Sequence, residues 1–139
     1  MIRQASRRAL LKGGAAAAAL VTAPSIVRAD ASIRVGSLTP DTGGGGTFGP
    51  QIAAAHRRVV DLVNANGGVL GREVDLTQEN SETNPETAIR AARKLVDADR
   101  VLAVIGTWSS SVTLGIMPLC QDADVLQMCT SSASEIPGE

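Results

Sequence analysis

From Ser32 onward, short β-branched and apolar runs alternate with segments whose apolar residues recur at helical spacing. That alternation is the sequence sign of βαβ units, and it confines the fold to an α/β class built on a parallel, doubly wound, Rossmann-like sheet. Residues 32–38, SIRVGSL, read as the first strand. Thr39 to Gly49 holds four consecutive glycines, Gly43 to Gly46, and reads as a loop. Pro50 suits the first turn of a helix, and Ile52, His56, Val59, Val60 and Val63 fall on one face of it. Asn66-Gly67-Gly68 ends that helix, because glycine takes the left-handed cap at no steric cost.

The pattern then repeats. Residues 73–79 alternate apolar and polar as a strand does. Asn84-Pro85-Glu86 combines a capping side chain, a proline at a position that needs no N–H donor, and an acid near the positive end of the helix dipole. The helix it starts is expected to reach about Asp97 and to bury Ala88, Ala92, Leu95 and Val96. Val101 to Ile105, bordered by Gly106, is apolar throughout, as the centre of a parallel sheet requires. A third helix over 110–121 and a fourth strand over 125–128 complete the series.

The first 29 residues read as an export signal and not as fold. Ser6-Arg7-Arg8-Ala9-Leu10-Leu11-Lys12 precedes a small apolar run from Gly13 to Val21, and Val27-Arg28-Ala29 supplies a small-x-small cleavage site. The run is too short to span a bilayer. The paired arginines resemble a twin-arginine signal. No cysteine stands at the cleavage site, which disfavours a lipid-anchored precursor. Removal after Ala29 takes five basic residues and no acidic one, leaving eight basic against fourteen acidic side chains, a net charge of −6. That balance, with 1% aromatic residues, disfavours nucleic acid as a partner. His56 is the sole histidine, so no metal site is expected, and no cofactor is implied. Cys120 and Cys129, the only cysteines, fall on a helix and the next strand; a disulfide in an oxidising compartment and two small buried side chains both remain open.

Hydroxyl groups gather at two places. Ser109, Ser110 and Ser111 follow the third strand, and Thr130, Ser131, Ser132 and Ser134 follow the fourth. In an open α/β sheet, ligands sit outside the carboxyl ends of the strands, where helix N-termini favour anions. The two loops are therefore either a cradle for a carboxylate or a set of ordinary caps and turns. A nucleophilic serine needs a base within reach, and Gly106-Thr107-Trp108-Ser109-Ser110 does not fit the Gly-x-Ser-x-Gly elbow. The lone His56 is expected to be packed on the first helix. A serine hydrolase is thus a remote alternative, and no enzymatic role is expected. Trp108, the only tryptophan, is expected at a pocket edge.

Asn66-Gly67-Gly68-Val69-Leu70-Gly71-Arg72, then Asn84-Pro85-Glu86-Thr87-Ala88, then Val104-Ile105-Gly106 and its serines, together resemble the periplasmic substrate-binding proteins for branched-chain amino acids that serve ABC importers. The resemblance implies the type I periplasmic-binding fold, in which two hinged lobes clamp a small ligand. Residues 30–139 then read as a partial N-terminal lobe, with the second lobe absent. Ser110 matches the serine expected after the third strand, and Ser131, Ser132 or Ser134 matches the hydroxyl after the fourth. Phe48 matches an aromatic residue of the first loop. The function implied is capture of an amino acid or similar small carboxylate in the periplasm, with an ABC permease as partner. A ligand-sensing receptor of the same fold is the alternative.

Overall fold

The computed structural model describes residues 32–136, so the expected export signal lies outside the described residues. Four strands appear: β1 (Ile33–Thr39), β2 (Val74–Asn80), β3 (Ala103–Thr107) and β4 (Leu126–Cys129). They alternate with helices α1 (Gly49–Ala65), α2 (Pro85–Arg93) and α3 (Ser110–Asp122). All pairings are parallel, in the order β2-β1-β3-β4. The expected doubly wound α/β sheet is therefore present. Registers run Ile33 with Val74 on one side of β1 and Val35 with Ala103 on the other.

Helix α1 packs on β1 and β2 from one face, whereas α2 and α3 pack on each other against the opposite face. The core lies on the second side. Leu38, Ala88, Ala92, Leu95, Val101, Val104, Val112, Ile116 and Cys120 form one buried cluster between α2, α3 and the sheet. Gly36 keeps Leu95 close, since a Cβ there would stand 2.9 Å from its Cδ1. The α1 face is thinner. Val59, expected on the apolar stripe, is 58% exposed, because α1 spans only the β1–β2 half and leaves the sheet beside it open. Leu126 and Met128 project from β4 on that open side, 60% and 56% exposed.

Local signals act as expected at several ends. Asn84 Oδ1 accepts from the backbone N–H of Glu86 at 2.9 Å and of Thr87 at 3.1 Å, capping α2. Gly67 and Gly68 take positive φ after α1. The second helix departs from expectation: its α-helical part stops at Arg93, and residues Lys94–Ala98 widen into a π-helical turn that buries Leu95. Lys94 pairs there with Glu79 of β2, and the hydrogen bond and charge of that carboxylate raise the ammonium pKa.

Candidate functional site

The chain leaves β1 towards β2 and leaves β3 towards β4, so the two loops diverge between adjacent strands. Such a switch point opens a crevice at the carboxyl edge of the sheet. The loop after β1, expected to be without regular structure, contains a single 3-10 turn, Gly43–Gly45, before α1 begins. The loop after β3 is only Trp108 and Ser109 before α3 begins. Phe48 and Trp108 meet across the crevice as a stacked ring pair, centroids 5.3 Å apart and planes 26° off parallel. Both stay open to solvent, at 49% and 38%. Trp108 thus lies at the carboxyl edge of the sheet, partly exposed and stacked on Phe48.

Gly106 carries φ +91° where the β3–β4 register slips between Ile105 and Thr107. That bulge redirects the chain into Trp108 and Ser109. Only glycine fits, because a Cβ would lie 2.5 Å from Cε1 of His56. His56 Nδ1 is 2.8 Å from Ser37 Oγ, and burial lowers the imidazole pKa. The sole histidine therefore braces the floor of the crevice through Ser37. It is not paired with Ser109, Ser110 or Ser111.

Ser109 is the N-cap of α3, with φ −82° and ψ 131°, yet its side chain makes no capping bond. Its Oγ instead lies 2.9 Å from Ser111 Oγ. Ser110 is half-buried, and its hydroxyl has no hydrogen bond among the described residues. The first backbone N–H groups of α3 are consequently left open towards the crevice edge, together with a free hydroxyl. That set of donors suits an anionic oxygen, because it offers directed N–H dipoles without a full counter-charge.

The loop after β4 divides its serines. Ser131 turns inward, donating to the Thr107 carbonyl at 3.0 Å and touching Thr113 Oγ1. Thr113 Oγ1 is 3.0 Å from both Thr107 Oγ1 and the Ser109 carbonyl. Buried Thr107 and Thr113 were not singled out by sequence; the usable signal was that Thr113 shares the inward stripe of α3 with Val112 and Ile116. Ser132 and Ser134 are exposed, and Ser134 bonds to Glu135 at 3.2 Å. Phe48 stacks on Trp108, which leads directly into Ser109 and Ser110 at the carboxyl edge of the sheet, whereas Ser131 ties the β4 loop to Thr107 and Thr113, and Ser132 and Ser134 lie further along that loop.

Both cysteines are free thiols. The Val125 N–H bonds the Cys120 carbonyl at 2.9 Å, and Cys129 stands four residues, about 13 Å, further along the strand direction. Burial raises the Cys120 pKa. Among the described residues no three metal-ligating side chains are grouped to hold an ion, and no helix is long and apolar enough to cross a membrane.

The sequence that builds this sheet matches a known family. The family model described as periplasmic binding protein covers residues 32–139. The chain belongs to that family. Among its relatives, an amino acid binding protein of Pseudomonas aeruginosa is 28% identical over 104 residues, 75% of this chain and 28% of the relative. The Leu/Ile/Val-binding protein BraC3 of Rhizobium johnstonii is 32% identical over 106 residues, 76% of this chain and 28% of the relative. This periplasmic binding protein therefore spans less than a third of the length of those two relatives. Its fold is that of solved binding proteins: the LivJ substrate-binding protein of Streptococcus pneumoniae, in complex with isoleucine, aligns with TM-score 0.71 at 22% identity over 76% of this chain and 30% of its own. The leucine-binding protein LivK of Thermotoga maritima aligns with TM-score 0.63 at 26% identity, over 73% and 28%.

Proposed function

We propose that this chain supplies part of the first lobe of an exported substrate-binding protein that captures a small amino acid or related carboxylate and delivers it to an ABC permease. The observation carrying this reading is the N-terminus of α3, whose Ser110 hydroxyl and first N–H groups have no side-chain partner among the described residues and which follows directly on Trp108, stacked on Phe48. Hydrogen bonds from neutral donors to a carboxylate gain strength when water is excluded. A second lobe, closing over the crevice, would exclude it. Relatives named for amino acids or for leucine, isoleucine and valine support the ligand class. Ser109 and Ser110 would receive the carboxylate, Ser132 and Ser134 would complete the rim on the loop that Ser131 ties down, and Phe48 and Trp108 would wall the apolar part of the ligand. Residues 1–29 would direct export to the periplasm and be removed near Ala29.

Calorimetric titration of the complete mature protein with L-leucine tests the reading. Saturable binding is expected, and Ser110→Ala should weaken it about ten- to a hundredfold, the worth of a hydrogen bond to a charged group. Unchanged affinity in that variant overturns the assignment of Ser110. Mass spectrometry of the exported form checks for an N-terminus near Asp30.

A further inference from the structure

The loop that carries Phe48 is held by a residue on the loop after a different strand, β2. At the end of β2, Glu82 and Thr83 adopt φ +52° and +56°, two consecutive non-glycine residues in the left-handed region. For a β-branched side chain that is a genuine outlier, kept only where the surroundings demand it. Here Thr83 Oγ1 accepts from the Gly45 backbone N–H at 2.8 Å and donates to the Thr42 carbonyl at 3.2 Å. Asn80 adds a second tie, its Nδ2 donating to Thr42 Oγ1 at 2.8 Å and its Oδ1 accepting from the Glu82 N–H at 2.9 Å. Gly43 permits the approach, since a Cβ there would lie 2.0 Å from the Glu82 carbonyl oxygen.

Gly45 passes the constraint on. Its own Cβ, were there one, would lie 2.9 Å from Trp108 Cε3 and from Pro40 Cβ, so the loop runs directly against the indole. The Gly45 carbonyl accepts from the Phe48 N–H at 2.8 Å. One threonine hydroxyl on the β2 loop therefore fixes the backbone on which both rings of the crevice rest, and Trp108 leads straight into Ser109 and Ser110. From this juxtaposition we infer that Thr83 is a positioning residue for the ligand crevice, holding the Phe48–Trp108 wall in place without touching the ligand. The inference rests on the ligand reading above for its consequence, not for its geometry.

Trp108, the only tryptophan of the 139 residues, reports on the wall directly. In the full chain, Thr83→Val keeps the branched shape and removes both hydrogen bonds, whereas Thr83→Ser keeps the hydroxyl. Acrylamide quenching of Trp108 should rise about twofold in Thr83→Val and stay near wild type in Thr83→Ser. In the complete mature protein, L-leucine affinity should fall about tenfold in the first and less than twofold in the second. Unchanged quenching in Thr83→Val overturns the inference, as does a loss of melting temperature shared by both variants with no change at Trp108. Should Thr83→Val fail to fold, amide exchange of Gly45 in the unaltered protein decides: at least tenfold slowing relative to an unstructured chain supports the brace, and an unprotected amide refutes it. If the unaltered protein binds no leucine, the ligand reading fails alone, and quenching and exchange still judge the brace.

Discussion

Gly106 and His56 show how tightly single residues set this crevice. Any side chain at Gly106 meets two penalties together, the positive φ and the imidazole 2.5 Å from its Cβ. Gly106→Ala should cost about 2 kcal/mol or more of stability, measured by urea unfolding. An unchanged midpoint would show that the bulge relaxes freely. His56 adds a pH dependence with a defined sign. Burial lowers its folded-state pKa below the ordinary imidazole value of about 6.5, so the unfolded chain binds the extra proton first. The stability that neutral His56 contributes is complete above about pH 6.5 and is lost progressively as pH falls below it. The unfolding midpoint should therefore drop more between pH 7 and pH 5.5 in the wild type than in His56→Gln; parallel curves would remove His56 from the account. Neither role was legible in the sequence beyond a packed histidine, because Ser37, His56 and Gly106 sit on three elements that only the sheet order brings together.

Elements were far more legible than their contacts. Strands and helices follow the sequence periodicity closely because each βα unit carries its own punctuation, as in Asn84-Pro85 before α2 and Gly67-Gly68 after α1. Asn84→Ala removes a side chain that satisfies two N–H groups and should cost about 1 kcal/mol, read as a lower thermal midpoint. No measurable change would mean that water replaces the cap fully. The π-helical turn after Arg93 was not legible, because residues 90–97 read as ordinary amphipathic helix and the turn accompanies a tertiary contact, Leu95 buried against Gly36 of β1. The hydroxyl clusters were located correctly on their loops, but their division was hidden. Ser131 bonds Thr107 and Thr113, whereas Ser110 has no hydrogen-bond partner among the described residues, and that distinction depends on which elements the sheet order brings beside each loop.

At the scale of the whole molecule, one face of the sheet is well filled and the other is not. Leu126 and Met128 stand exposed on β4, an outer strand whose far edge has no partner among the described residues. Apolar outer strands promote association between chains. The chain of 139 residues should therefore self-associate in dilute solution, and Met128→Lys should lower its apparent mass in light scattering; equal scattering from both would assign the association elsewhere. The same sheet order has a consequence for synthesis. β1 lies between β2 and β3, both of which follow it in the chain, with Val35 waiting for Ala103 to supply the second of its neighbours. At roughly 5–20 residues per second, the ribosome takes about 3–14 s to deliver the 68 residues from Gly36 to Ala103. Until β2 emerges neither edge of the strand destined for the middle of the sheet has a partner, and until Ala103 emerges one edge stays open, the form of chain that holdase chaperones recognise.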